Sequence, residues 1–128
     1  MSRSSWKFFY VDVDIIKRFD ELLSLAFFQF KEKYKIDSSE ISRKFFKENI
    51  LEISTIAKSL SEEEPIEVWS RNSVVLPEFQ GFYFFVYNGH VLKKLLVKQE
   101  MIGKKFGEFA ATKRIGPNIH YPRKKKKV

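Results

Sequence analysis

The stretch Gly103-Lys104-Lys105-Phe106-Gly107-Glu108 sets two lysines between glycines, and Thr112, Lys113 and Arg114 follow closely. Glycine lets backbone amides approach an anion without a side chain in the way, and lysine adds a mobile point charge. That chemistry is phosphate recognition, and the phosphate can belong to a nucleotide, a membrane lipid or a nucleic-acid backbone. A nucleotide-binding P-loop needs a glycine five residues ahead of its Gly-Lys pair and a Ser or Thr just after it. Here lysine occupies both places, at Lys98 and Lys105. His90 and His120 stand far from other ligands, so no metal site is expected. The chain has no cysteine, which removes disulfides, thiolate ligands and thiol nucleophiles and fits a reducing compartment. Glu100 and Glu108 are acids that nothing in the sequence gathers round a pocket, and they read as solvated surface groups. Neither catalysis nor a cofactor is expected.

Charge narrows the choice among phosphates. The net charge is +8, and every one of the 16 acids precedes residue 113. The last segment, 113–128, holds Lys113, Arg114, Arg123, Lys124, Lys125, Lys126 and Lys127 with no acid, while the first 112 residues carry 17 bases against 16 acids. A near-neutral body with a basic arm fits nucleic acid or an anionic membrane, and nucleic acid is favoured. No apolar run approaches the roughly 20 residues that span a bilayer. The N-terminus lacks the apolar segment and small-residue cleavage site of a secretory signal. Lysine outnumbers arginine 18 to 6 and phenylalanine occurs 14 times, so the gene is expected to be AT-rich, as organellar genes are.

The elements that must position these residues are legible in the apolar spacing. Ile15, Ile16, Phe19, Leu22, Leu23, Ala26, Phe27, Phe30 and Tyr34 recur in steps of three and four, one face of an α-helix. Asp12 or Asp14 is suited to cap its start. The segment 35–40 breaks the pattern, with Asp37 or Ser38 as the next cap and Glu40 in the first turn. A second stripe follows at Ile41, Phe45, Ile50, Ile53, Ala57 and Leu60, and the short connection predicts an antiparallel pair. Pro65 bars further helix. From there the period changes to two, at Ile66–Ser70 and over 82–97, where Asn88-Gly89 signals a hairpin with a type I′ turn. Phe82, Phe84 and Val86 share one face, and Tyr83, Phe85 and Tyr87 the other. A helical turn is predicted at 100–103. The fold class is therefore α+β: an N-terminal helix pair on a small, mostly antiparallel sheet. One domain spans 1–112, and 113–128 forms a basic extended tail.

Three ordered motifs, Trp69-Ser70-Arg71, Asn88-Gly89 and Gly103-Lys104-Lys105-Phe106-Gly107-Glu108-Phe109, with Pro77 to Gly81 between the first two, resemble those of the ribosomal small-subunit protein nineteen family. Arg3, Ser4, Lys7 and Asp12 also match before the first helix, so the resemblance covers about residues 1–23 and 65–123. Residues 24–64 have no family counterpart in this reading and form a helical insertion. Asn72 stands where the family has a second Arg, His90 where Arg is common, Lys104 where His is usual, Ala111 for Pro and Lys113 for Arg. Lysine keeps the charge of arginine but not its fork.

The resemblance implies a structural constituent of the ribosome, not an enzyme, bound to small-subunit ribosomal RNA in the subunit head. Proteins of the thirteen and fourteen families are its implied neighbours, and its tail runs near tRNA and the intersubunit contact. A mitochondrial ribosome is favoured over a cytoplasmic or plastid bacterial-type one. The implied RNA-binding residues are Arg3, Ser4, Lys7, Arg71, Ser73, Asn88, His90, Lys104, Lys105, Thr112, Lys113, Arg114, His120, Arg123, Lys124, Lys125, Lys126 and Lys127. Residues 24–64, where bases and acids offset each other, are expected to touch neighbouring proteins and not RNA. The rival reading is a peripheral membrane or partner-helix protein that uses the amphipathic pair and the basic tail.

Overall fold

The structure, a computed structural model, describes residues 9–35 and 43–113, with side chains in the second helix from residue 47 onward. Helix α1 runs Val13–Tyr34. Of the two candidate caps it uses Asp12, whose carboxylate accepts from the Asp14 amide at 3.3 Å. Its buried residues are Ile15, Phe19, Leu22, Ala26 and Phe30. Leu23 and Phe27 pack at the margin of the core. Ile16, turned one position off the stripe, is 40 % exposed. Helix α2 runs Arg43–Glu63, and the expected caps Asp37 and Ser38, with Glu40 and Ile41, lie outside the described residues.

The two helices lie antiparallel. Tyr34 at the end of α1 donates its hydroxyl to Glu52 Oε2 at 2.7 Å, whereas Leu22 shares a groove with Leu60 near the end of α2. Ala26 and Ala57 are both fully buried in the common core. Small side chains there let the helix backbones approach, and larger residues on either side fill the space. Ile50 shares the stripe of Ile53 and Ala57 but lies near the level where α1 ends, so it is 59 % exposed.

The sheet has three strands in the order β1 (Ile66–Val68), β2 (Tyr83–Tyr87) and β3 (Leu92–Leu96). β2 and β3 pair antiparallel, with Phe85 opposite Lys94. β1 pairs with β2 in parallel, with Glu67 opposite Phe85. The sheet is thus mixed: the antiparallel ladder of five pairs outweighs the parallel one of three, and the parallel pair arises because 69–82 carries the chain back across before β2 begins. Burial alternates along β2 as the sequence predicts, with Phe84 and Val86 facing inward. The predicted two-residue type I′ turn is absent. Ladder pairing stops at Tyr87 and Leu92, leaving a four-residue loop, and Asn88 does not adopt a positive φ. Its side-chain oxygen instead accepts from the amides of His90 and Val91, each at 3.0 Å, a local turn that competes with the tighter one.

Aromatic rings join the layers. Phe19 of α1 meets Phe79 edge-on at 5.0 Å, Phe79 lies 5.2 Å from Phe84, and Phe84 lies 5.2 Å from Phe106. Phe106 opens the short helix α3 (Phe106–Phe109) and is fully buried. Ser61, unmarked in the apolar pattern, is buried as well: its hydroxyl donates to the Lys58 carbonyl and accepts from the Tyr83 amide, tying α2 to the start of β2.

Ala57→Leu is predicted to destabilise the protein by about 1–3 kcal/mol through overpacking, read from the urea midpoint at constant slope. The Tyr34 phenol holds its proton to higher pH than an ordinary tyrosine, first because it donates to Glu52, then through desolvation and the nearby negative charge. Since the folded state holds that proton more tightly, the tie contributes below the ordinary tyrosine range and is lost as pH rises through the raised value. Ultraviolet titration should show one late-ionising tyrosine that disappears in Tyr34→Phe.

Candidate nucleic-acid interface

Two of the motif segments lie against each other. Gly103 donates to the Val75 carbonyl and Val75 to the Lys104 carbonyl, both at 2.9 Å, while Phe106 donates to Ser73 and Gly107 to Arg71, both at 3.0 Å. Segments 71–75 and 103–107 thus form an irregular antiparallel ladder, with Val74 bridged to Lys105. The glycines serve this ladder. Gly103 has φ +81°, which a side chain strongly disfavours. A Cβ on Gly107 would sit 2.9 Å from the Arg71 carbonyl oxygen and 3.2 Å from Arg71 Cβ. Gly103 is thus needed for its backbone conformation, with nothing within 4 Å of where a Cβ would stand, and Gly107 for close backbone approach within the protein.

Arg71 holds the arrangement together. Its guanidinium donates to the carbonyls of Tyr87 at 3.0 Å, Gly107 at 2.8 Å and Ala110 at 2.6 Å. Tyr87 ends β2, and the other two carbonyls belong to α3 and its C-terminal cap, where helical carbonyls lack partners and a cation is favoured. Expected at an RNA backbone, Arg71 directs its charge onto its own chain. Ser73 is fully buried; its hydroxyl accepts from the Asp12 amide and donates to Ser70 Oγ, both at 3.1 Å. Asn88, 9 % exposed, closes the hairpin loop. These three implied contact residues work inside the fold.

Four others stay open to solvent. Lys104, His90, Thr112 and Lys113 are exposed. Lys105 is half-buried and donates from Nζ to Asn72 Oδ1 at 2.5 Å. Between the hairpin loop and the chain after α3 lies an open cleft of about 560 Å³, lined by Asn88, His90, Val91, Lys93, Ala111, Thr112 and Lys113. Lys93 joins this lining although a strand lysine reads in sequence as an ordinary solvated residue; the doubled Lys93-Lys94 inside an apolar run is the one signal there. Arg3, Ser4, Lys7, Arg114, His120, Arg123, Lys124, Lys125, Lys126 and Lys127 lie outside the described residues. No group of three or more possible metal ligands occurs among the described residues.

Arg71→Lys is predicted to lower stability by about 2–3 kcal/mol, since one ammonium cannot serve three carbonyls spread over two elements. Chemical denaturation checks it, and a loss below 0.5 kcal/mol, the level of a neutral surface change, would contradict the clamp.

Comparison with known proteins bears on the same segments. The family model for ribosomal protein S19 matches residues 38–117. The match begins within 24–64, so part of the segment read as an insertion falls inside the matched range. The small ribosomal subunit protein uS19 of Rhodopseudomonas palustris (strain BisB18) is 41 % identical over 69 residues, 54 % of this chain and 75 % of that protein. The uS19 protein of Rhodospirillum rubrum is 47 % identical over 57 residues, 44 % of this chain and 62 % of that protein. With more than half of its length matched by the family model, and with the motif ladder intact, the chain belongs to the ribosomal protein S19 family.

Proposed function

We propose that this protein is a structural constituent of the small ribosomal subunit and works by binding ribosomal RNA. The observation that carries the reading is the cleft between the hairpin loop and the chain after α3. It gathers His90, Lys93, Thr112 and Lys113 directly ahead of Arg114 and the basic run that ends the sequence. Family membership supports a scaffolding role over a catalytic one. Lysine charges neutralise crowded phosphates, and contacts of this kind orient a protein on RNA without reading much sequence.

In this reading His90, Lys93, Lys104, Thr112 and Lys113 meet the backbone, with Lys105 held beside them by Asn72. Arg71, Ser73 and Asn88 position the walls. The termini add Arg3, Ser4, Lys7, Arg114, His120, Arg123 and Lys124 to Lys127, and 113–128 acts as an RNA-binding tail on the domain 1–112. The finer placement is the subunit head beside proteins of the thirteen and fourteen families, with the tail toward tRNA and the intersubunit contact. The AT-rich composition favours a mitochondrial subunit. Residues 24–64 face neighbouring proteins.

Five to seven bases on single-stranded RNA give a log–log salt slope of roughly −3.5 to −5, at about 0.7 per phosphate. Replacing Lys93 and Lys113 together by Ala should flatten the slope by about 1.4 while leaving the thermal midpoint unchanged. A slope that ignores both changes defeats the cleft as the contact surface. Sedimentation of the tagged full chain with purified small subunits after a high-salt wash tests the assembly itself.

A further inference from the structure

A second groove lies where α1, the end of α2 and the start of β1 converge, with a volume of about 510 Å³. Its floor is apolar, including Leu22, Leu25, Leu60 and Ile66, and its rim carries Glu21, Glu63, Glu64 and Glu67. Arg18 is the one base in the lining, and it already faces Glu67 at 3.5 Å. That is the sole ion pair among the described residues, so Glu21, Glu63 and Glu64 have no cationic partner there. Leu25 stands 59 % exposed on α1.

The charge here runs against local physics. A helix C-terminus carries the negative end of the macrodipole and favours bases. The last turn of α2 has no base, and Glu62 and Glu63 occupy it with Glu64 just beyond. Lys94 Nζ donates to the Glu62 carbonyl at 2.8 Å, which offsets part of the mismatch on the β3 side only. The groove side is left with three carboxylates, an unfavourable dipole and an apolar floor. Sequences break a local rule of this kind where another requirement overrides it.

We infer that this groove docks a basic, aliphatic segment of a partner protein, whose lysines or arginines meet the Glu rim while its aliphatic side chains cover Leu25. RNA phosphate is repelled by the same rim, so on a protein of net charge +8 this is the face turned from the nucleic acid. The inference names the chemistry of the protein contact proposed for residues 24–64, but the groove itself does not depend on the ribosomal reading.

The test has two arms. In the first, a fluorescent 16-residue Leu/Lys helical peptide is titrated onto the full chain, with a Leu/Glu peptide of the same pattern as control. The Leu/Lys peptide should bind, and Glu63→Gln with Glu64→Gln should weaken it at least tenfold. Leu25→Ser should weaken it at least threefold, which a purely ionic attraction would not show. The double Gln variant should also melt at a higher temperature than the parent, because it removes charge from the wrong helix end. Equal affinity of parent and variants, or binding of the Leu/Glu peptide, overturns the proposal. In the second arm, a photo-crosslinker at Leu25 in purified small subunits should yield an adduct to a lysine- or arginine-rich protein segment, identified by mass spectrometry. An RNA adduct, or a protein adduct to a segment without basic residues, overturns it. If the chain fails to enter subunits, the ribosomal reading falls while the peptide arm still decides the groove.

Discussion

The guanidinium of Arg71 sets the geometry on which the rest depends. It grips the carbonyls of Tyr87 and Ala110, and the next residues along the chain, Asn88 and Ala111, are the opposing walls of the candidate RNA cleft. The width of that cleft is therefore fixed by a planar fork whose donors diverge at set angles. His90, Thr112 and Lys113, exposed beyond the walls, inherit their placement from this clamp, while Lys93 is set opposite Val86 by the β2–β3 ladder. Phe106 supports it from below. Its burial against Phe84 roots α3, whose carbonyls accept from Arg71, in the core.

The molecule divides its charges between two duties. Cations of the motif segments are either engaged with the protein's own oxygens, as Arg71 and Lys105 are, or left in solvent, as Lys104 and Lys113 are. The first kind lends rigidity, and the second is free to trade its hydration for phosphate. Four acids gather in the groove where β1 meets the helix pair. A chain with strongly positive net charge thus collects opposite signs at its two grooves.

Much of the scaffold was legible in sequence, for identifiable reasons. The α1 stripe survives because apolar residues at helical period have one way to be buried, and Phe84 and Val86 alternate because strand geometry leaves no other. The turn after β2 was misjudged because Asn88 supplies its own side-chain acceptor and so supports a longer loop. Ile50 was misjudged because periodicity says which face is apolar but not where the neighbouring helix stops. The inward role of Arg71 was hidden for a deeper reason. Its carbonyl partners on α3 lie 36 and 39 residues downstream, and a guanidinium suits a phosphate and a carbonyl cluster equally well. Which one it meets is decided by tertiary structure alone.

The Ser73 hydroxyl receives the Asp12 amide across 61 residues of sequence, while the helix pair is built from contacts close along the chain. Folding of such a chain is uneven in time. Local helix contacts form cheaply, and contacts that close long loops wait until their distant ends exist. During synthesis the helix pair can assemble once residue 63 is free, yet the cleft has no second wall until Ala110 has emerged. The surface proposed for RNA is then the last part to take shape, because its second wall and the bases from Lys113 onward follow one another at the end of its synthesis.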